Sequence, residues 1–254
     1  MRRTIGFLLI LLSFPVIWLL LSFIHTELLN ASELKATIQD SVQVSTPVFS
    51  SPVILVDKNK QVFSEDYVEW REPLTLEQIP LFVQDLFIQS EDDEFYKHIG
   101  FDFSAIFRAI FANAGAQAKE QGASTITQQL VRLRYLSTEK TYERKLTELV
   151  YAYEMEKEYS KEEILTNYLN EIYFGNQVYG IGAAASYYFN KPLGELTEAE
   201  LTFISAIPNN PALYNPIDHF EATKKRQERL IDGLVKNGII TKTHGDKIKL
   251  EKIS

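Results

Sequence analysis

An acidic cluster in the first half of the chain could perform acid–base chemistry. Glu91-Asp92-Asp93-Glu94 comes shortly after Leu81-Phe82-Val83 and Leu86-Phe87-Ile88, apolar residues that are spaced as in a buried helix. Carboxylates at the C-terminal end of a helix face the negative end of its macrodipole. Such unfavourable placement is commoner at functional sites than in plain scaffold. A solvated loop would explain the same residues, and these residues alone do not separate the two interpretations.

A second group combines acidic and basic side chains at helical spacing. Lys140, Arg144 and Glu148 recur at i+4 steps with Lys145 beside them, so they share one face of a predicted helix. An exposed ladder of weak salt bridges is the alternative interpretation.

Between these two groups lies a helix with an unusual polar stripe. Ser124, Gln128 and Arg132 recur at i+4 steps, flanked by Thr125 and Gln129. Hydroxyls, amides and a guanidinium are typical of a ligand-facing surface rather than of a plain exposed helix, which carries mostly Glu and Lys. Paired carboxylates perform glycosidic bond chemistry. Clustered cations suit a phosphate-bearing group. Together they indicate transfer of a sugar from a phosphate-bearing leaving group.

Three other motif matches lack the context that their chemistry needs. The sequence from Gly180 to Ala185 resembles a dinucleotide fingerprint, but no strand precedes it, and close helix packing explains its small residues better. Ser137 to Lys140 fits S-x-x-K, a spacing that is too common to be specific. The histidines lack ligand spacing, so we expect no histidine metal site and interpret His98 as a structural hydrogen-bonding residue.

Composition and the N-terminal sequence limit the possible classes of protein and predict its cellular location. The 254 residues carry a formal net charge of −8 and no cysteine, which excludes a disulfide framework and argues against nucleic-acid binding. Arg2 and Arg3 precede an uncharged apolar run over Thr4–Ile24, long enough to cross a bilayer. Basic residues before the span predict a single-pass plasma-membrane protein with a cytoplasmic N-terminus and an extracytoplasmic body. We expect an anchor over 1–30, a stalk over 31–51 and a catalytic domain over 52–254.

Helical periodicity dominates that last domain. A hairpin is predicted between Val53 and Phe63 from its turn residues. The predicted fold class is otherwise all-α, with a capping box at Ser160 and an N-cap at Asp102. Predicted helices run from about Thr75 to the acidic cluster, after Asp102, over 124–136 and 139–159, from Ser160, and over 181–189, 197–207 and 221–237.

Five ordered motif blocks resemble the family 51 glycosyltransferases. These are the monofunctional peptidoglycan transglycosylases and the first domain of class A penicillin-binding proteins. The blocks are E-D-x-x-F-x-x-H-x-G-x-D from Glu91 to Asp102, G-A-S-T-I-T-Q-Q from Gly122 to Gln129, R-K-x-x-E from Arg144 to Glu148, a fourth block from Tyr168 to Ala185 and a fifth from Ala206 to Pro216.

The resemblance implies a role for each matching residue. Glu91 would be the general base, and Glu148 would assist at the diphosphate leaving group, where a divalent cation (Mg²⁺ or Mn²⁺) is an optional expectation. The cations expected to neutralise the diphosphate are Arg132, Lys140, Arg144 and Lys145. The residues expected to position sugars and phosphates are Ser124, Thr125, Gln128 and Gln129. The framework around the site would consist of Asp92, Phe95, His98, Gly100 and Asp102.

The resemblance also implies a fold, a substrate and partners. It implies a lysozyme-like bilobed domain that polymerises lipid II, with the membrane, the growing lipid-linked strand and cell-wall or division proteins as partners and no organic cofactor. Leu133 and Arg132 stand where the family usually has Asn and Lys, and we expect these departures to affect how the substrate is bound. Because the sequence ends soon after Thr241, the expected protein is monofunctional. A lytic muramidase-like hydrolase and a non-catalytic scaffold are the competing hypotheses.

Overall fold

The computed structural model describes residues 37–42, 53–56, 58–59, 62–66, 69–102, 124–136 and 141–253. The predicted anchor over 1–30, the helix after Asp102 and the Lys140 side chain lie outside these residues. Within the predicted stalk, residues 37–42 are helical. Among the described residues, none of the helices combines the length and the apolar character that a membrane crossing requires.

Two small pairs of strands accompany the helices. β1 (Val53–Val56) and β2 (Val62–Asp66) pair antiparallel, which confirms the predicted hairpin. β3 (Trp70–Arg71) pairs in parallel with β4 (Val178–Tyr179), a pairing that sequence patterns did not predict. This second pair ties the entry of the helical region to a segment that follows it by about a hundred residues.

The rest of the described chain is mostly helical, as predicted. The helices are α1 (Leu81–Glu91), α2 (Ile126–Tyr135), α3 (Tyr142–Glu158), α4 (Lys161–Glu171), α5 (Ile181–Phe189), α6 (Glu198–Ile204), α7 (Pro216–Lys236) and α8 (Lys242–Leu250).

Several helix ends differ from the predicted ones for local reasons. The helix expected from Thr75 is a 3₁₀ turn over Leu76–Gln78, and α1 begins only after Pro80. Proline lacks the N–H that a continuous helix would need there. The predicted capping box at Ser160 is confirmed, and its side chain accepts a hydrogen bond from the backbone N–H of Glu163.

The main core surrounds α2. Helix α2 packs against α3 and α4, and its first two turns are buried. Phe87 of α1 meets Tyr168 of α4 edge to face, with ring centroids 6.2 Å apart. Phe95 is fully buried in the same core, which agrees with its expected framework role. The apolar contacts therefore fix α1, α2 and α4 around the end of α1 that carries the acidic cluster.

Two glycines allow close approach near this core. Gly100 has a φ of +100°, and a Cβ there would lie 2.6 Å from the carbonyl oxygen of Ala152. A Cβ on Gly182 would lie 2.4 Å from the backbone oxygen of Glu72. Close packing, the interpretation that the sequence favoured for the segment from Gly180 to Ala185, is confirmed. The expectation that no strand precedes this segment is wrong, because the two-residue strand β4 ends at Tyr179.

Candidate active site

Glu91 lies at the C-terminal end of α1 and is held by a short hydrogen-bonded chain. The side-chain amide of Gln129 donates to Glu91 Oε2 over 3.1 Å. The hydroxyl of Tyr168, which is buried, donates in turn to Gln129 Oε1 over 3.2 Å. Because Gln129 and Tyr168 belong to packed helices, these bonds fix the orientation of the Glu91 carboxylate.

Burial raises the pKa of the Glu91 carboxyl above its ordinary value. The hydrogen bond from Gln129 and the positive charges of Arg226 and Arg132 oppose this shift, and the charge of Asp92 adds a smaller upward contribution. Burial, rather than the neighbouring acid, is the main cause.

Asp92 and His98 are framework residues with defined contacts. Asp92 is buried, and its Oδ2 accepts hydrogen bonds from His98 Nε2 (2.8 Å) and from the backbone N–H of Ile126 (2.9 Å). Ile126 is the first residue of α2, so Asp92 supplies a carboxylate at the positive end of that helix. The backbone N–H of Gly100 donates to His98 Nδ1 over 3.1 Å. This geometry agrees with the structural interpretation of His98.

The polar stripe on α2 differs from the expected one. Thr125 is the N-cap: its Oγ1 accepts from the backbone N–H of Gln128 (3.1 Å) and donates to the carbonyl of Gly100 (2.7 Å). Gln128 is fully buried, and its Oε1 accepts from the backbone N–H of Thr125 over 3.0 Å. The expectation that both side chains face a ligand is therefore corrected, because the capping box turns them inward. Among the described residues, the Nε2 of Gln128 has no hydrogen-bond partner.

Gln129, Ser124 and Arg132 occupy three different positions around α2. Gln129 contacts the Glu91 carboxylate directly, whereas a substrate contact was expected from the resemblance. Ser124 precedes the N-cap and does not share a helical face with Arg132. Its hydroxyl accepts a hydrogen bond from Lys145 over 3.2 Å. Arg132 is exposed and close enough to lower the pKa of Glu91.

Glu148 forms the centre of a cationic cluster on α3. Its side chain is 0% exposed, and it pairs with Arg144 Nη1 at 2.9 Å and with Lys145 Nζ. Burial of the carboxylate excludes the exposed salt-bridge ladder that was the alternative interpretation. Of the expected cations, Arg144 and Lys145 meet at Glu148. The Nε of Arg144 has no hydrogen-bond partner within the part of the chain that the structure describes.

The side chains around Glu148 do not suit the binding of a divalent cation. One oxygen is paired with Arg144 and the other with Lys145, so a metal would compete with two cations. Within the described ranges, no three His, Cys, Asp or Glu side chains are grouped as a metal site requires. No step of the mechanism is therefore assigned to a resident metal, and metal dependence stays an expectation from the resemblance.

Helix α2 connects the two clusters. Ser124 contacts Lys145 of the cationic cluster, and Gln129 contacts Glu91. Ser124 and Gln129 lie five residues apart, on either side of the N-terminus of α2. A raised-pKa carboxylate and a cationic cluster thus both contact the short segment from Ser124 to Gln129.

Arg226 of α7 is a site residue that sequence reasoning missed. It follows two lysines in an amphipathic helix and looks like an exposed basic run, but α7 packs against α1 and brings its charge close to Glu91. Its Nε is buried and has no hydrogen-bond partner in the described ranges of the chain. It lines a cleft of about 160 Å³ between the two helices, together with Leu86, Gln89, Ser90, Arg229, Leu230, Gly233 and Leu234.

Replacing Arg226 with Gln should raise the pKa of Glu91 further, because a positive charge that favours the carboxylate is removed. A ¹³C NMR titration of the Glu91 carboxyl, assigned by its loss in Glu91→Gln, measures the shift. Arg229→Gln is the matched control, since Arg229 lines the same cleft but is not among the groups that shift Glu91. Identical titration midpoints in wild type and Arg226→Gln would contradict the assignment.

Comparison with known proteins decides the family. The sequence profile described as Transglycosylase matches residues 58–235, well over half of the chain. This chain belongs to the transglycosylase family. Membership of this family confirms the resemblance that the five motif blocks predicted.

Curated relatives of this transglycosylase chain are longer proteins. It is 43% identical over 256 residues to penicillin-binding protein 4 of Bacillus subtilis (strain 168), covering 100% of this chain and 41% of the relative. It is 39% identical over 225 residues to penicillin-binding protein 1A of Vibrio cholerae, covering 86% of this chain and 26% of the relative. The chain therefore spans less than half the length of these relatives.

A solved structure shares the fold of this transglycosylase chain. The crystal structure of penicillin-binding protein 1A from Haemophilus influenzae matches 83% of this chain and 22% of that chain, with a TM-score of 0.51 and 21% identity. The likeness supports the mostly helical fold. The finer expectation of a bilobed, lysozyme-like shape stays a prediction.

Proposed function

We propose that this chain is a peptidoglycan glycosyltransferase that polymerises lipid II into β-1,4-linked glycan strands and releases undecaprenyl diphosphate. Membership of the transglycosylase family supports the reaction class. The observation that carries the assignment is that the raised-pKa carboxylate of Glu91 and the cationic cluster around Glu148 contact the same short segment, from Ser124 to Gln129.

Glu91 acts as the general base in this proposal. It accepts the proton of the acceptor's GlcNAc 4-hydroxyl as that oxygen attacks C1 of the donor MurNAc. The bond between O4 and C1 forms, and the bond between C1 and the phosphate oxygen breaks, so the electron pair leaves with the diphosphate. Attack opposite the leaving group inverts the configuration at C1, as in enzymes that use one carboxylate as base. A pKa raised toward neutrality makes the carboxylate a more effective base.

The cations act on the leaving group. Arg144 and Lys145 are held in place by the buried Glu148, so little reorganisation is needed as negative charge develops on the diphosphate. Arg132, and Lys140 as the resemblance implies, add positive charge. Glu148 acts through these cations: its carboxylate orients their donors and limits their mutual repulsion.

The hydrolase hypothesis is less well supported by the same geometry. A muramidase-like enzyme needs a second carboxyl that can protonate a leaving sugar oxygen. Arg144 and Lys145 each donate a hydrogen bond to one oxygen of Glu148, so this carboxylate is engaged by cations rather than placed to protonate a leaving sugar oxygen. A hydrolase also has no diphosphate for Arg144 and Lys145 to stabilise.

The location proposed for the enzyme is the outer face of the plasma membrane. The apolar run over Thr4–Ile24, preceded by Arg2 and Arg3, supports an N-terminal anchor with a cytoplasmic tip. Substrate and product are both lipid-linked, so an anchored enzyme would meet them in two dimensions. Cell-wall or division proteins are the partners proposed with this location.

Incubation of the purified full chain with labelled lipid II in detergent micelles tests the proposal. Glycan strands that a muramidase can digest, with release of undecaprenyl diphosphate, are the expected products. Shortening of preformed strands would support the hydrolase instead, and binding of lipid II without turnover would support a scaffold. Parallel reactions with Mg²⁺, Mn²⁺ and EDTA test the metal expectation.

A further inference from the structure

A buried polar network contacts the His98–Asp92 pair and has no role in the proposed mechanism. It contains Thr127 of α2, Glu156 of α3, Lys161 of α4 and His98, and we call it the Glu156–Lys161 network. Side-chain exposure is 18% for Lys161, 7% for Glu156 and 6% for His98. Neither Glu156 nor Lys161 belongs to the five motif blocks.

Hydrogen bonds connect the four side chains of the network. Lys161 Nζ donates to Glu156 over 2.6 Å and to His98 Nδ1 over 3.3 Å. Thr127 Oγ1 donates to Glu156 Oε1 over 2.6 Å. Lys161 also lies 4.6 Å from the centre of the Phe95 ring. Desolvation lowers the pKa of Lys161, and the charge of Glu156 opposes that shift.

The donors around His98 determine its tautomer. The backbone N–H of Gly100 and Lys161 Nζ both donate to Nδ1, so Nδ1 is an acceptor and Nε2 carries the proton. That proton is donated to Asp92 Oδ2, which also accepts the first N–H of α2 from Ile126. A change of tautomer at His98 would place a lone pair against the Asp92 carboxylate and weaken this contact.

We infer that Lys161 and Glu156 are positioning residues for the reaction. Together with the backbone N–H of Gly100, they hold the His98 tautomer that directs Asp92 onto the N-terminus of α2, and α2 in turn aligns Gln129 with Glu91. A buried ion pair that served stability alone could be replaced by neutral residues of similar volume without loss of function. This inference rests on the proposed function, because its effect on rate is measured in lipid II polymerisation.

The double variant Glu156→Gln/Lys161→Met tests the inference without leaving a buried charge unpaired. We expect kcat to fall on the order of 10- to 100-fold, as for a small misplacement of reacting groups, with KM and the thermal midpoint nearly unchanged. The ¹⁵N shifts of His98 should report loss of the single Nε2-protonated tautomer. Lys161→Arg, which keeps a cationic donor, should retain most of the activity.

Glu94→Gln/Lys97→Met is the matched control. It removes the same types of charge from an exposed i,i+3 pair that lies close to His98 in sequence. It should leave kcat and the His98 tautomer unchanged. Wild-type kcat in the Glu156→Gln/Lys161→Met variant, or an unchanged His98 tautomer, would overturn the inference. An inactive wild type would instead refute the proposed function, and the tautomer measurement would still decide whether Lys161 and Glu156 control His98.

Discussion

Replacing Glu91 with Gln is expected to lower kcat for lipid II polymerisation roughly 10²- to 10⁴-fold, the usual contribution of a general base. The amide cannot accept the proton of the attacking hydroxyl. It keeps the shape of the side chain, and its oxygen can still accept the hydrogen bond from Gln129. KM should change little, because the lost interaction is specific to the transition state.

The same substitution should not destabilise the fold. Because the folded pKa of Glu91 lies above its unfolded value, the folded chain binds more protons between these two values. Stability attributable to Glu91 therefore falls as pH rises through this window. Glu91→Gln removes that penalty, so its thermal midpoint at neutral pH should equal or exceed that of wild type. Thermal unfolding of both proteins at several pH values measures the difference.

Asp93→Asn is the control for Glu91→Gln, because Asp93 belongs to the same acidic cluster but is exposed. It should keep near-normal activity. Near-normal activity in Glu91→Gln would refute the assigned role. A large loss of stability in Glu91→Gln would show instead that the carboxylate is structural.

Local sequence signals predicted much of the fold because they act within a few residues. The capping box at Ser160 and the periodicity of 181–189 need only neighbouring side chains to specify a helix. Helix α8 was not predicted. It is short and contains Gly245, whose propensity disfavours a helix. A Cβ there would lie 2.7 Å from Val235 Cγ2, so tertiary packing selects the residue.

The candidate site was harder to predict, because its geometry depends on tertiary burial. The i,i+4 spacing of Arg144 and Glu148 fits both an exposed salt-bridge ladder and a buried cluster. Only the tertiary packing of the helix shows that Glu148 is buried. Thr125 and Gln128 have the residue types of a ligand-facing stripe, yet the same types form a capping box, and the start of α2 decides between the two. Arg226 approaches Glu91 only through the packing of α7 on α1.

Replacing Glu148 with Gln is the second change with a large expected effect. The buried carboxylate holds Arg144 and Lys145, so its loss should leave two cations that repel each other and no longer point at the leaving diphosphate. We expect kcat to fall on the order of 10²-fold, as when one preorganised electrostatic contact is lost. Unlike Glu91→Gln, this variant should also have a lower free energy of unfolding. Breaking a buried ion pair costs about 3–5 kcal/mol, and we expect the lower end of that range because Lys145 can turn to solvent.

Steady-state polymerisation and denaturant unfolding measure the two effects of Glu148→Gln. Glu143→Gln, on an exposed position of the same helix, is the control and should be silent in both. The expectation of a metal-assisted role predicts that excess Mg²⁺ or Mn²⁺ partly restores kcat. An orienting role through Arg144 and Lys145 predicts no such rescue, because the cations rather than a metal contact the diphosphate. Unchanged kcat in Glu148→Gln would remove Glu148 from the site under either mechanism.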